Sequence, residues 1–301
     1  MRKDIARRGS RLSRPMFALP RQLCGAASAA VASRFGALDW KIKRRDAPIP
    51  RARGGVCCTI MDAAVTTSWD DGDSADLRVA ELLAGHGLKG TFYVAFNHPE
   101  SKKIGDEEIR ILSRMGMEIG SHTLTHRLLT GRPRAEVRHE LSESKRRLED
   151  ILGAPVTAFS YPQGAFTSTA RAALIDTGYR LGRSTMAFRT GYDFDPWLMP
   201  ISVEFARSSR TAITRHALRD GNLSGLMNWM RTTALEVDPL SLARAMFDQV
   251  VERGGIFHLN ARSWEVEKNA LWREFETMVR YVAQVPGLRH VTNSEALPSG
   301  R

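Results

Sequence analysis

The chain has 301 residues, 43% hydrophobic and 26% charged, which is long enough to bury a substantial core. Its formal net charge is +11, and residues 1–60 account for all of it, because they hold 14 Lys/Arg and 3 Asp/Glu (14 − 3 = +11). The other residues hold 44 − 14 = 30 basic and 33 − 3 = 30 acidic side chains, which excludes nucleic-acid binding as the function of the main domain.

Residues 1–60 are rich in Arg, Ala, Ser and Gly and show no sustained apolar periodicity. This composition predicts a basic, disordered extension, or a mis-assigned start that precedes a true beginning at Met61. Residues 23–32 are the one candidate for the apolar core of a secretion signal, but they are mostly Ala, Ser and Gly. We therefore expect a cytoplasmic protein, with export through an atypical N-terminal signal as the alternative. No run is apolar and long enough to be a transmembrane segment.

The three cysteines, Cys24, Cys57 and Cys58, all lie in this extension. The predicted catalytic domain, residues 61–301, therefore has no disulfides and no thiolate ligands. Any metal ion that this domain binds must be held by His, Asp or Glu.

From Met61 onward, β-branched apolar runs alternate with segments of helical periodicity. In chain order the sequence predicts strand 63–69, helix 76–84, strand 91–96, helix 106–114, strand 117–121, helix 134–152, strand 156–160, helix 168–177, strand 179–183, an irregular region 186–236 with a strand at 201–205, helix 240–253, strand 256–259, helix 271–284 and strand 288–292. Repeated βα units of this length predict an α/β fold, most simply a closed or nearly closed (β/α) barrel.

Polar side chains follow several of the predicted strands at the point where each strand ends. They are Asp70 and Asp71, His122 and His126, Tyr161 and Pro162, and His258. The carboxyl ends of the strands share one face of a β/α barrel, where active sites lie. We therefore expect these residues to converge.

Asp71, His122 and His126 form a 2-His-1-carboxylate set, which leaves coordination positions open and so indicates a catalytic metal site. The four-residue spacing of the histidines lets both imidazoles reach one ion from a single helical turn. Asp70 is the predicted general base for metal-activated water. Alternatively, Asp70-Asp71-Gly72 is only a turn, because Asp and Gly favour turns.

His258 is the predicted general acid, because a leaving amine must be protonated as its carbon–nitrogen bond breaks and imidazole titrates in a suitable range. The alternative is a hydrogen-bonded structural histidine, which is the usual role of a lone histidine at a strand end. His98 and the other histidines receive no predicted role.

The motifs resemble those of the polysaccharide deacetylases with a NodB homology domain, the carbohydrate esterase 4 group. Thr67-Ser-Trp-Asp-Asp-Gly72 resembles the first family motif, T-F-D-D-G, and His122-Thr-Leu-Thr-His126 matches the second, H-[ST]-x-x-H. Phe159-Ser-Tyr-Pro-Gln-Gly164 is similar to the third motif, usually R-x-P-Y-G, and Phe257-His-Leu259 to the last. The resemblance runs from about residue 63 to 297.

This resemblance implies a deformed (β/α) barrel, one divalent metal ion and hydrolysis of N-acetyl or related amide groups on sugars. The expected ion is zinc, with cobalt or nickel as alternatives. The family pattern makes Asp70 the base, His258 the acid, and Asp71, His122 and His126 the ligands. It also implies that the backbone N–H of Gln163 donates to the oxyanion.

Two positions depart from the family pattern. Ser160 stands where the third motif often has an arginine that orients the base, and Arg262 stands where some relatives have a second histidine after His258. Either the substrate differs or Arg262 supplies the orienting charge. The residues predicted to contact the N-acetylated carbohydrate are Tyr161, Pro162, Arg262 and Trp264.

Two other functions are compatible with the same sequence. The first is hydrolysis of small cyclic amides or ureides, as in the allantoinase-like branch of the same superfamily. The second is a catalytically silent carbohydrate-binding barrel.

Overall fold

The computed structural model describes residues 63–99 and 101–297. The predicted disordered extension, the possible start at Met61 and the three cysteines lie outside the described residues. Within the described part, no helix is long and apolar enough to cross a membrane.

Eight parallel strands form one curled sheet in the described part of the chain. The strands are β1 (Ala63–Asp71), β2 (Thr91–Val94), β3 (Glu118–Ser121), β4 (Ala158–Ser160), β5 (Leu181–Arg183), β6 (Val203–Glu204), β7 (Gly255–Ala261) and β8 (Arg289–His290). Their order is β5-β4-β3-β2-β1-β7-β6, and β8 pairs with the start of β1. The first five strands of the chain therefore pair in sequence order, as repeated βα units predict.

The segment that leads into β6 connects the two edges of this sheet. Met199 donates its N–H to the carbonyl of Gly182 in β5 at 2.8 Å, and Ser202 donates to the carbonyl of His258 in β7 at 2.8 Å. Because the same stretch of chain continues into β6, the edge strand beside β7, these hydrogen bonds bring the two edges of the sheet together. The predicted deformed (β/α) barrel is confirmed.

Nine α-helices lie between or after the strands in the described residues. They are α1 (Asp76–Gly85), α2 (Asp106–Arg114), α3 (Arg134–Leu152), α4 (Ser168–Asp176), α5 (Arg210–Arg219), α6 (Leu223–Thr233), α7 (Pro239–Arg253), α8 (Ser263–Lys268) and α9 (Trp272–Ala283). Helices α2 and α3 have the predicted bounds, and α1, α4, α7 and α9 differ from them by one or two residues.

The sequence predicted that region 186–236 would be irregular apart from one strand. This prediction is wrong, because the region also contains α5 and α6. Each of these helices begins at a capping side chain, since Ser209 accepts from the Ala212 N–H and Asn222 accepts from the Gly225 N–H. Few of their side chains are buried, so the apolar periodicity by which the other helices were predicted is weak here.

The first strand is longer than predicted and extends to Asp71. All nine of its residues are buried, because β7 pairs along one side of β1 while β8 and β2 pair along the other. On the helix side of the sheet, Trp69 packs edge-on against Phe275 of α9, with ring centroids 4.9 Å apart. The indole of Trp69 is therefore part of the core, while Asp70 points to the barrel interior.

Candidate metal centre and active site

The carboxyl ends of five strands bring the predicted polar residues together. Asp70 and Asp71 end β1, and His122 follows β3 directly. The Ser160 carbonyl at the end of β4 accepts a hydrogen bond from His122 Nδ1 at 2.8 Å. Arg183 and Arg262 approach from the ends of β5 and β7. The predicted convergence of the first two motifs is therefore observed.

The spacing of His122 and His126 predicted that both lie on one helical turn, but the structure shows that they do not. Thr123 and His126 have positive φ values of 69° and 57°, so the backbone between the histidines is bent rather than helical. The buried carboxylate of Glu140, on α3, holds this bend by accepting from the N–H groups of Leu124 and Thr125 at 3.0 and 2.9 Å. The long helix α3 thus fixes the separation of the two imidazoles.

Left-handed backbone conformations recur at the site. Asp71 has φ 81° and Gln163 has φ 54°, in addition to Thr123 and His126. Non-glycine residues with positive φ are uncommon, and they persist where the surrounding structure determines the conformation. At Asp71 the conformation ends β1 and directs the carboxylate toward the histidines.

The two carboxylate oxygens of Asp71 have different surroundings. Oδ2 accepts a hydrogen bond from Trp264 Nε1 at 2.8 Å, and it also lies 3.6 Å from His98 Nε2 and 3.6 Å from Arg262 Nε. Oδ1 lies 3.5 Å from His122 Nε2 and 3.3 Å from His126 Nε2. Among the described residues, Oδ1 is buried and has no hydrogen-bond partner.

The tautomer of His122 follows from its hydrogen bond. Because the Ser160 carbonyl can only accept, Nδ1 of His122 carries the proton and Nε2 turns a lone pair toward Asp71. Burial lowers the pKa of both His122 and His126 to about 4, so both imidazoles are neutral near pH 7. Neutral imidazole is the form that ligates metal ions.

His98 is a residue that the sequence analysis missed. Ligand atoms of Asp71, His98 and His126 lie within 4.8 Å of one another, a grouping that includes His98 and leaves out His122. However, Nδ1 of His98 accepts a hydrogen bond from the backbone N–H of Ser101 at 3.1 Å. The proton of a neutral His98 therefore resides on Nε2, which faces Asp71 as a hydrogen-bond donor and not as a ligand.

These observations together test whether the residues fit a divalent cation. A buried, unpaired carboxylate oxygen lies between two neutral imidazoles, while the other oxygen of the same carboxylate is surrounded by donors. A hydrogen-bonded outer shell that orients the ligands is typical of metal sites in proteins. The set Asp71, His122 and His126 fits the ion, and His98 fits the outer shell.

Arg183 carries the charge that the third motif lacks. Its guanidinium, fully buried at the end of β5, pairs with Asp70 Oδ1 and donates to Ser160 Oγ at 2.6 Å. Burial raises the pKa of Asp70, but the charges of Arg183 and its neighbours outweigh that effect and hold the pKa well below the usual range of a carboxyl group. The arginine is thus supplied by β5, while Ser160 of β4 fills the space beneath it.

Arg262, which the sequence offered as one alternative source of the orienting charge, helps to lower the pKa of Asp70 but is not its direct ion-pair partner. The Arg262 guanidinium instead donates to Glu204 at 2.9 Å and Glu265 at 3.1 Å, and its nearest contact at the site is Asp71. It is partly exposed at the barrel rim. Arg262 therefore remains able to meet a substrate, which fits its predicted binding role.

His258, the predicted general acid, lies deeper in the barrel than Asp70. In the register of the sheet it pairs with Thr66, four residues before Asp70 on β1. Both ring nitrogens have protein partners, Ser68 Oγ at 2.8 Å and the Pro200 carbonyl at 2.9 Å. Ser68 and Asn260 lie between this ring and Asp70, so the imidazole is a buried part of a hydrogen-bonded column.

The third motif contains buried and exposed positions side by side. Tyr161 and Pro162 are buried, and the Tyr161 ring packs edge-on against Phe159 at 5.2 Å, so neither presents its side chain at the open face. Gln163 is exposed and follows Ser160 by three residues. Trp264 is partly exposed, with its ring 6.0 Å from that of His98. Of the predicted substrate contacts, Trp264 and Arg262 therefore lie at the rim.

An Asp-His-His cluster at the carboxyl ends of the strands is typical of a β/α-barrel protein with a catalytic metal centre. The sequence model of the polysaccharide deacetylase family matches residues 61–182, which contain the first three motifs. The resemblance to this family is thereby confirmed, and the deacetylases of the family are hydrolytic enzymes that act on acetylated carbohydrates.

One similar curated protein is the putative polysaccharide deacetylase YxkH of Bacillus subtilis (strain 168). It is 26% identical over 126 residues, which cover 41% of this chain and 45% of that protein. The chain thus spans less than half the length of this relative.

Similar solved structures include the chitin deacetylase of the fungal pathogen Colletotrichum lindemuthianum. It is 14% identical with a TM-score of 0.51, over 78% of this chain and 87% of that one. This likeness supports the fold. A family 4 carbohydrate esterase from Streptomyces lividans, solved in complex with acetate, is 16% identical with a TM-score of 0.45, over 74% of this chain and 90% of that one.

Proposed function

We propose that the protein is a metal-dependent hydrolase that removes N-acetyl or related acyl groups from an amino-sugar-containing carbohydrate. The observation that carries the proposal is the asymmetry of the Asp71 carboxylate, whose Oδ1 is unpaired between two neutral imidazoles. The family match over residues 61–182 supports the class of reaction.

Asp71, His122 and His126 would hold the cation, with zinc expected and cobalt or nickel as alternatives. When bound, such an ion supplies Lewis-acid polarisation of the amide carbonyl and lowers the pKa of water. The remaining steps fall to side chains and backbone groups of this chain.

Asp70 is the proposed general base. Its carboxylate is kept ionised by Arg183, and Asn260 Nδ2 donates to Oδ2 at 3.3 Å, so both oxygens are oriented. Asp70 takes the proton of the attacking water and returns it to the amine nitrogen as the carbon–nitrogen bond breaks. We assign this return to Asp70 because Ser68 and Asn260 separate His258 from it.

The backbone N–H of Gln163 is the proposed donor to the oxyanion that forms on the amide carbonyl. Gln163 has left-handed backbone angles (φ 54°, ψ 19°), and its neighbours Pro162 and Gly164 are buried. Buried neighbours and a fixed backbone support a preorganised donor. At the rim, the Trp264 ring and the Arg262 guanidinium are the proposed contacts to the sugar, by stacking and by hydrogen bonding.

A second candidate is a carbohydrate-binding barrel without turnover. It is favoured by Arg262, which stands where some relatives carry a histidine, and by the distance of His258 from the open face. A cytoplasmic location also remains a proposal, and it would favour small amide or ureide substrates over bulk polymers.

An acyl-release assay tests these alternatives. The substrates are N-acetylated sugars, chitin oligomers, peptidoglycan fragments and ureides, each with metal-free protein and with added zinc, cobalt or nickel. We expect metal-dependent acetate release from one of the carbohydrate classes. Sugar binding without release from any substrate would support the silent barrel, and turnover of ureides alone would support the small-amide branch.

A further inference from the structure

Helices α5 and α6 carry an unusual concentration of exposed apolar side chains. Of the six large hydrophobic residues that are exposed in the described part of the chain, four lie in these two helices. They are 44% to 58% exposed: Leu218, Leu223, Met227 and Met230. On the surface of a soluble protein such residues usually occur singly, so a cluster of four indicates an interaction surface.

The spacing within α6 places three of these side chains on one face. Leu223, Met227 and Met230 lie at positions i, i+4 and i+7, while Gly225 and Trp229 are buried on the opposite side. Leu218 belongs to the last turn of α5, and only three residues separate the two helices. Leu223, Met227 and Met230 therefore form an apolar stripe along the exposed face of α6.

Arginines accompany the apolar stripe. Residues 206–235 contain five arginines and one acidic residue, Asp220, for a net charge of 5 − 1 = +4, whereas residues 61–301 as a whole are formally neutral. Arg210, Arg215 and Arg219 line one surface depression together with Leu218. Arg231 follows Met227 by four residues and so shares its face. We call Leu218, Leu223, Met227, Met230 and these four arginines the Arg–Leu–Met patch.

The patch adjoins the open face of the barrel. Arg219 Nη2 donates to the backbone carbonyl of Gln163 at 3.4 Å, which connects α5 to the loop after β4. That loop begins directly after Ser160, the last residue of β4 and a contact of both His122 and Arg183. A surface bound to the patch would therefore lie beside the entrance to the candidate active site.

We propose that the Arg–Leu–Met patch docks the protein on an anionic lipid bilayer. Flexible apolar side chains bordered by basic residues bind the headgroup region of a membrane through hydrocarbon contact and attraction to anionic lipids. A second copy of this chain joined across a two-fold axis would bring two surfaces of net positive charge together. A nucleic acid backbone has no hydrocarbon surface that would cover the three apolar side chains on this face. The proposal concerns binding and does not depend on the reaction catalysed.

The test is sedimentation of the full chain with vesicles of phosphatidylcholine alone or of phosphatidylcholine mixed with phosphatidylglycerol. We expect binding to the mixed vesicles, and a decrease of at least about tenfold in the partition coefficient for the triple variant Leu223→Ser/Met227→Ser/Met230→Ser. All proteins compared carry the same residues 1–60, so the contribution of that basic segment cancels.

Ile175→Ser is the matched control, since Ile175 is also an exposed apolar residue but lies on α4. A second pair compares Arg215→Gln/Arg231→Gln, expected to weaken binding to the mixed vesicles, with Arg138→Gln on α3, expected to have no effect. Equal binding by the wild type and the triple variant would overturn the proposal. So would a failure of the wild type to bind mixed vesicles, or a dimer in light scattering that the triple variant dissociates.

Discussion

The Arg183 guanidinium on β5 forms a fully buried ion pair with the Asp70 carboxylate at the end of β1, 113 residues earlier in the chain. Ser160, which occupies the position of the family arginine, accepts a hydrogen bond from the same guanidinium. The positive charge beside the proposed base is therefore retained although it comes from a different strand. A buried charge pair of this kind costs desolvation, and each partner depends on the other.

Arg183→Met is expected to lower kcat by a factor on the order of 10²–10⁴ if Asp70 is the base. Because Arg183 lowers the pKa of Asp70, its removal raises that pKa, and the acid limb of the pH–rate profile should move to higher pH. Removing one partner of a buried pair should also destabilise the fold by about 3–5 kcal/mol. Kinetics across pH, with melting temperatures, measure both effects.

Arg183→Lys should restore part of the activity, because it returns the charge without the planar geometry. Arg180→Met, an exposed position just before β5, serves as the control and should change neither profile. An unchanged acid limb in Arg183→Met would show that the base is oriented by another group.

Local sequence patterns predicted much of the barrel, since buried strands and amphipathic helices such as α2 and α3 have strong periodicity. They also predicted Asp70, Asp71, His122 and His126, which occur in short motifs at strand ends. Arg183 could not be predicted in the same way, because its partnership with Asp70 depends on the pairing of β5 with β4 and on curvature of the whole sheet.

His98 was missed for a different reason. It follows β2 by four residues and so lies at the same strand edge as the motif histidines, but it belongs to no recognised motif. The strand-end argument applied to every strand would have included it. The depth of His258 in the barrel could not be predicted either, because a motif identifies a residue type and not its level within the barrel; its general-acid role stays a prediction. Its register with Thr66, on β1, is a property of the folded sheet.

Removing either of the two imidazoles proposed as ligands should abolish tight metal binding while leaving the fold intact. His122→Ala and His126→Ala each take one nitrogen from the set that surrounds Asp71 Oδ1. Titration with zinc by calorimetry, together with metal content by elemental analysis, measures the loss. His139→Ala, an exposed residue of α3, is the control. Retention of one tightly bound ion per chain by a folded His122→Ala variant would contradict the assignment.

Substitution of His98 should have a smaller effect, because we assign it to the outer shell. His98→Phe removes the Nε2–H that faces Asp71 Oδ2, and loss of such a partner typically lowers metal affinity by about 10–100-fold. Absorption spectra of the cobalt-loaded protein provide a second readout, because they respond to the number and type of ligands. A spectrum that changes as much in His98→Phe as in His122→Ala would make His98 a ligand.

His258→Gln should affect stability more than turnover. Burial lowers the pKa of His258 to about 3, below the ordinary 6.5, so only the unfolded state binds this proton between those values. The contribution of His258 to stability is therefore complete above about pH 6.5 and is lost as the pH falls toward 3. In the metal-free protein, the melting temperature of the variant should decrease less between about pH 7 and pH 5 than that of the wild type.

The turnover of His258→Gln distinguishes a structural role of His258 from a role as general acid. With Asp70 returning the proton, His258→Gln should keep turnover within about tenfold of the wild type and leave the alkaline limb of the profile in place. A loss on the order of 10²–10⁴, with a flattened alkaline limb, would restore the general-acid role that the sequence suggested.

The most direct test of the central claim is acetate release, followed by proton NMR, from an N-acetylglucosamine oligomer incubated with metal-free protein while zinc is added. Release should begin only as the Asp71-His122-His126 site fills, reach its limit at one ion per chain, and be absent in Asp71→Ala. Stoichiometric zinc binding without release of an acyl group from any carbohydrate tested, or release that is unaffected by Asp71→Ala, would contradict the claim.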